Sequence, residues 1–302
     1  MTLSDRARGC LLGLAVGDAV GATVEFKPRG SFAPLTDMVG GGPFGLQPGQ
    51  WTDDTSMALC LGYSLAECNG FDAHDQMTRY VRWWKEGYLS STGVCFDIGV
   101  TVAGALQRFQ QTGDPFAGST DPHKAGNGCI MRLAPVPIYY YPDIDAAAHY
   151  AAESARTTHA AAECLDASRL FARILVRALR GDDKAAVLLG DRATFTGAPT
   201  IEAIARGDYR SKRQAQIRGS GYVVDSLEAA LWCFDRTDTF ADAVLLAANL
   251  GDDADTTAAV CGQVAGAFYG ETGIPAAWCA RLTMGEEIVA LADRLCRNCG
   301  AM

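Results

Sequence analysis

Apolar residues spaced three and four apart recur along this 302-residue chain, and that spacing is the period of a helix with one buried face. It predicts helices over 4–22, 54–68, 73–86, 97–111, 145–155, 160–180, 222–235, 239–249, 255–270 and 284–297. Strict apolar/polar alternation is scarce. The best strand-like run is "PVPIYYY" (135–141), and its two prolines weaken it. Loops rich in glycine, proline and polar residues are expected over 27–50, 112–128 and 190–221. With no solenoid-length repeat and no low-complexity linker, the expectation is one all-α domain over 1–302, a compact orthogonal multi-helix bundle.

Two of these helices carry glycine where helices ordinarily avoid it. Gly9, Gly13, Gly17 and Gly21 recur every fourth residue in the first, and Gly262, Gly266 and Gly270 do so near the end of the chain. Each helical glycine costs up to about 1 kcal/mol relative to alanine, so a ridge of them implies close backbone approach. The two helices are expected to meet at the centre of the bundle and to hold rigidly whatever hangs from their ends.

Composition narrows the class. The chain is 49% hydrophobic and 20% charged, as folded proteins are, and its net charge of −9 disfavours nucleic acid as a partner. Its 11 cysteines lack paired spacing and mostly sit in apolar helical runs, which points to a reducing, cytoplasmic compartment. Cys296 and Cys299 form a lone C-x-x-C with no second pair, a poor zinc site. Asp18 interrupts the apolar run 10–26, the one candidate membrane segment, so a soluble protein is expected. A basic island, Arg206, Arg210, Lys212, Arg213 and Arg218, reads as a solvated loop.

The chemistry gathers in two acidic stretches, "WTDDTSMALCL" (51–61) and "LGDDADTTAAV" (250–260). Each places threonine and paired aspartates before an apolar helical run, and either alone could be a helix cap. Together they hold more carboxylate than capping requires. Carboxylate and hydroxyl are hard oxygen donors, which suits Mg²⁺ or Mn²⁺, or Ca²⁺, rather than zinc or copper. Asp53, Asp54, Asp253 and Asp255 supply four charges to match two divalent cations, with Glu25 a fifth carboxylate that could reach the same centre.

Weaker signals accompany them. In "AGNGCIMRLAPVP" (125–137), Gly126, Asn127 and Gly128 could turn backbone amides toward a phosphate with help from Arg132. "ARTTHA" (155–160) brings Arg156 and His159 to a helix start, and "GVCFDIGVTV" (93–102) sets Asp97 beside Phe96 in apolar company.

In order along nearly the whole chain, "GLAVGDAVGATVEF", "GQWTDDTSMALCL", "CFDIGVTV", "GNGCIMRLAPV", "ARTTHA", "GSGYVVDSLEAALWCF" and "GDDADTTAAVCGQVAGAFYG" resemble the ADP-ribosylglycohydrolase family, its dinitrogenase-reductase-activating type in particular. The resemblance implies an all-α fold around a dinuclear cleft. It implies metal ligation by Thr52, Asp53, Asp54, Asp253, Asp255 and Thr256, and an acid beside the metals at Glu25. It implies substrate contacts at Asp97, Gly126, Asn127, Gly128, Met131, His159 and Tyr222. Two departures stand out: Asp252 where glycine is expected, and Val100 where asparagine is common.

The expected activity is metal-dependent removal of ADP-ribose from modified protein side chains, arginine foremost, by cleavage of the α-N-glycosidic bond. Glu25 or Asp97 would handle protons. Three alternatives stay open: another ADP-ribosyl linkage (serine or O-acetyl-ADP-ribose), a non-catalytic ADP-ribose binder on the same scaffold, and a metal-dependent phosphoesterase. The target protein, the choice of Mg²⁺ or Mn²⁺, the anomeric outcome and the oligomeric state are not legible in the sequence.

Overall fold

The structure is a computed structural model and describes residues 1–297; Cys299 of the C-x-x-C pair lies outside the described residues. The described residues form 14 α-helices and no β-sheet. In chain order these are α1 (Leu3–Gly21), α2 (Asp53–Cys68), α3 (Ala73–Glu86), α4 (Val100–Thr112), α5 (Pro135–Tyr140), α6 (Ile144–Arg156) and α7 (Ala162–Arg180). There follow α8 (Lys184–Leu189), α9 (Pro199–Arg206), α10 (Val223–Arg236), α11 (Phe240–Ala248), α12 (Ala254–Tyr269), α13 (Ala276–Arg281) and α14 (Gly285–Arg297). None of the described helices is long and apolar enough to cross a membrane.

α1 and α12 are buried along most of their length and form the axis around which α7, α10, α11 and α14 pack. The glycine ridges explain how. A methyl group at Gly9, Gly13, Gly17 or Gly21 would overlap the carbonyl oxygen of Gly266, Gly262, Ala258 or Ala254 respectively. The pairing runs antiparallel, and Gly262 and Gly266 meet Gly13 and Gly9 in the same way from the other side. Backbone touches backbone, so only glycine fits. One consequence governs the rest of the molecule: the C-terminal end of α1 lies against the N-terminal end of α12.

The ten helices expected from apolar spacing all form, with ends within three residues of the expected ones. α4 begins late, at Val100, because Asp97 takes a left-handed backbone (φ 59°) that no helix interior accommodates. Residues 135–140 of the strand-like run are instead helix α5, buried throughout, with Tyr141 at its end. Its prolines occupy the first turn, where amide hydrogens have no intrahelical acceptor, so nothing is lost by their absence. The loop expected over 190–221 contains α9 and two short 3₁₀ turns. In the basic island, Arg206, Arg210 and Lys212 pair with Asp208, Asp235 and Glu228, as a solvated surface would have it.

Candidate metal centre and cleft

Five of the described helices, α1, α3, α6, α8 and α11, are capped by a side chain at their start. The side chains of Thr2, Asp72, Asp143, Asp183 and Thr239 each accept an amide hydrogen from the first turn that follows. The N-cap residues of α2 and α12, Thr52 and Asp253, make no such bond. Neither acidic stretch therefore owes its threonine or aspartate at the helix start to a side-chain cap bond.

α2 is capped from elsewhere. Asp18, fully buried in the last turns of α1, accepts the Thr52 amide (2.8 Å) and hydroxyl (2.9 Å) through Oδ1. Its Oδ2 accepts the Thr55 amide (3.0 Å) and hydroxyl (2.7 Å). Sequence reasoning missed this residue, treating it only as an interruption of an apolar run. The available signal was a lone acid in a helix of small apolar residues, where burial without partners is prohibitive.

Thr52 Oγ1 lies 2.9 Å from Asp18 Oδ1, 3.2 Å from Asp255 Oδ2 and 3.3 Å from Asp54 Oδ2. One hydroxyl hydrogen cannot serve three carboxylates. Thr256 Oγ1 is also 3.2 Å from Asp54 Oδ2, and the Thr256 amide holds Asp255 Oδ1 at 2.7 Å. Asp54 Oδ1 and Glu25 Oε2 are buried with no partner at all. Seven carboxylates, from Asp18, Glu25, Asp53, Asp54, Asp97, Asp253 and Asp255, form three overlapping groups whose ligand atoms lie within 4.8 Å of one another. Such a cluster fits hard divalent cations and could hold them.

The electrostatics agree. Burial pushes the carboxyls of Asp53, Asp54 and Asp255 well above their usual range, and neighbouring carboxylates add to the rise. Asp253 is raised by burial as well. Glu25 is pushed up to about 9 by burial and by Asp97 and Asp253, and Asp97 to about 7 by burial and by Asp18 and Asp253. The positive ends of α2 and α12 point at this cluster, but about half a unit charge each cannot balance seven acids. Among the described residues that line the cavity above it there is no lysine or arginine.

That cavity, of about 680 Å³, gathers most of the residues the sequence singled out. Glu25, Asp53, Asp97, Asp253, Asp255 and Thr256 line it, and so do Gly126, Asn127, Gly128, Met131 and His159. Thr52 and Asp54 sit behind this lining, joined to it through Asp255 and Thr256. Tyr222 is not among the lining residues. Its hydroxyl donates to Glu163 (2.7 Å), while its backbone bridges to Gly126.

The 126–128 loop departs from a phosphate cradle. Its Gly126 and Asn127 amides donate within the chain, to Lys124 O (2.9 Å) and Gly221 O (3.0 Å). The Asn127 side chain holds Asp253 Oδ2 at 2.6 Å. Glycine is needed for a different reason: a Cβ at Gly128 would come 2.6 Å from His159 Cε1, and one at Gly126 would come 3.3 Å from Nε2. The His159 ring lies on the loop. Arg132 does not assist there; fully buried, it donates to Thr158 Oγ1 (2.7 Å) and faces the Tyr80 ring. Thr158 Oγ1 in turn shares a hydrogen bond with His159 Nδ1 (2.9 Å), and burial lowers the imidazole to about 3. His159 is therefore neutral.

Asp252, where glycine was expected, has φ 56°, the left-handed region that favours glycine. Its carbonyl accepts the Phe26 amide (2.7 Å) and its amide donates to Lys27 O (2.8 Å), which ties the turn after Glu25 to the start of α12.

Comparison with known proteins agrees with this geometry. The ADP-ribosylglycohydrolase family profile matches residues 1–301. A Pseudomonas putida protein named ADP-ribosylarginine hydrolase Tri1 is 46% identical, over 96% of this chain and 78% of its own. The Rhodospirillum rubrum ADP-ribosyl-[dinitrogen reductase] glycohydrolase is 34% identical, over 95% of this chain and 93% of its own. A solved structure titled ADP-ribosylglycohydrolase-related protein complex superposes with a TM-score of 0.86 at 45% identity, covering 98% of this chain and 99% of that one.

Proposed function

The chain belongs to the ADP-ribosylglycohydrolase family, and from that premise we propose that it removes ADP-ribose from modified arginine side chains of proteins. The reaction is hydrolysis of the N-glycosidic bond, with two divalent cations, Mg²⁺ or Mn²⁺, as cofactors. One observation carries the metal requirement: at the floor of the cavity a single threonine hydroxyl stands within 3.3 Å of three carboxylates, beside a buried Asp54 oxygen with no partner.

Thr52, Asp53, Asp54, Asp253, Asp255 and Thr256 would hold the cations. Bound there, they would supply Lewis acidity toward ribose hydroxyls and a water molecule. Asp18 orients Thr52, and Asn127 orients Asp253, so the donor oxygens are set by packing rather than by the ligand. Glu25 and Asp97 border the same cavity and handle the proton that the departing guanidino nitrogen requires. The 126–128 loop and the neutral His159 receive the ADP-ribose, with Met131 beside them. Tyr222, anchored to Gly126 through its backbone, stands at the nucleoside end. A reducing, cytoplasmic setting suits the free thiols of buried Cys10, Cys60, Cys129, Cys164, Cys233 and Cys261.

A panel of ADP-ribosyl substrates with defined linkages, assayed with Mg²⁺, Mn²⁺ or EDTA, tests the reading. Free ADP-ribose should appear from the arginine linkage only when metal is present. Asp54→Ala and Asp255→Ala should each lower kcat/KM by roughly 10³-fold, together with loss of metal binding in calorimetry. Undiminished turnover in EDTA, or release of AMP in place of ADP-ribose, would overturn it.

A further inference from the structure

Of the six large apolar side chains exposed among the described residues, two, Phe26 and Val100, line the acidic cavity, at 64% and 90% exposure. Their positions in the chain are telling. Phe26 directly follows Glu25, and Val100 follows Asp97 by three residues, so each proton-handling acid is succeeded by an apolar side chain at the mouth. Phe26 does not stand alone: its ring meets Phe44 edge-on at 6.3 Å, and Phe44 meets Phe96 at 5.1 Å. Two further exposed side chains, Val39 and Val94, belong to the same two loops as Phe44 and Phe96.

The Phe26 backbone serves the tie to α12, but that bond asks nothing of the side chain, and glycine would make it at less cost. A bulky aromatic residue rarely adopts a left-handed backbone, yet Phe26 has φ 62° and is pinned there by its bond to Asp252 O. Strain that leaves a ring in water, at the lip of a catalytic cleft, is strain held for a ligand. Charge identifies the ligand. The cavity wall is anionic and carries no cationic side chain among the described residues, while a guanidinium is a planar cation that stacks on aromatic faces along an aliphatic stem.

We propose that Phe26, backed by Phe44 and Phe96 and faced by Val100, is an acceptor shelf that receives the guanidino group and aliphatic stem of the ADP-ribosylated arginine. This rests on the arginine-hydrolase reading above and adds to it the residues that select the acceptor. The shelf lies beside Glu25, where the leaving nitrogen must collect its proton, and is built from other segments than the 126–128 loop and His159, which are assigned to the ADP-ribose half.

The test uses metal-loaded full-length protein and two substrates: an arginine-ADP-ribosylated protein, and ADP-ribosylated agmatine, which keeps the guanidino group and stem without a polypeptide. Phe26→Ala should lower kcat/KM on both by about tenfold, and Phe26→Tyr should retain it. Phe26→Gly should lose activity as the alanine variant does while its Tm holds or rises, because glycine relieves the left-handed strain; that separates the ring's role from a folding role. The Kd for ADP-ribose, measured by calorimetry, should stay within about twofold of wild type in all three variants. An active Phe26→Ala enzyme with unchanged kcat/KM overturns the shelf alone, as does a parallel loss of ADP-ribose binding. A wild-type protein that releases no ADP-ribose from either substrate overturns the arginine reading itself, and the shelf with it.

Discussion

α1 and α12 meet twice, and the two meetings are opposites. Along most of their length they touch through bare backbone, Gly13 against Gly262 and Gly9 against Gly266, dry and complete. One or two turns further on, where α1 ends and α12 begins, the same pair of helices crowds Asp18, Glu25, Asp253 and Asp255 into a space that also takes in Asp53 and Asp54 of α2. The seam needs nothing from outside the chain. The acidic end is costly in itself, a crowd of buried carboxylates that could hold cations, and the seam fixes its geometry. Stability is concentrated in one region so that another can be left unsatisfied for function.

The largest effect should come from breaking the seam. Valine at Gly13 or Gly262 would drive a branched side chain into a carbonyl oxygen that cannot retreat, at a cost of about 3–5 kcal/mol or outright failure to fold. Urea denaturation with and without Mn²⁺ would show it, and a variant as stable as wild type would mean the two helices can separate. Alanine at Asp54, by contrast, removes a buried oxygen that has no partner and should raise the Tm of the metal-free protein while abolishing metal binding. Two substitutions at comparable burial, one in the seam and one in the acidic cluster, would then differ in sign.

Asp18 joins the two regions, and asparagine there should give an intermediate effect. Its carboxylate accepts four hydrogen bonds from Thr52 and Thr55; an amide offers one acceptor oxygen and turns a donor toward hydrogens already in place. Metal affinity measured by calorimetry should fall about 10- to 100-fold, with a stability loss of about 1–3 kcal/mol. Unchanged affinity would confine Asp18 to capping α2.

The smallest effect is a slope with pH. Glu25 is raised to about 9 and Asp97 to about 7 in the folded, metal-free protein, above their ordinary values of 4.5 and 3.8. A raised folded pKa means that the native state binds more protons than the unfolded one between those limits. Its stabilising contribution is full below pH 4 or so and is lost as pH rises through 7 and on toward 9. His159, lowered from 6.5 to about 3, works the other way and penalises folding as pH falls below 6.5. The Tm of EDTA-treated protein should therefore rise between pH 8.5 and 6.5, and metal-loaded protein should show little of that slope. A metal-free curve that climbs with pH over that range would contradict the acidic cluster as drawn.

Much of this was legible in the residues. Three- and four-residue apolar spacing located ten helices because a helix that buries one face must repeat at that period. The glycine ridges announced a close crossing, and the paired aspartates announced an acidic cluster that could hold cations, because neither pattern is tolerated without its reason. Shorter elements escaped notice. α5, α8 and α13 span six residues each, too few for a period to register, and the prolines of α5 read as strand-breakers when they are first-turn residues.

Direction and partnership had to come from the fold. Asp18 and Thr52 are 34 residues apart, and Asp255 is 203 from Thr52, so no local pattern could say that one hydroxyl is crowded by three carboxylates. Arg132 looked like a phosphate ligand beside Gly128 and proved to be a buried prop behind His159, because a helical turn between neighbours can send side chains to opposite faces. Residue type and spacing determine which groups are available and roughly where helices run. Which groups converge, and which are left without a partner, depends on packing between distant segments, and for this chain that is decided where α1 meets α12.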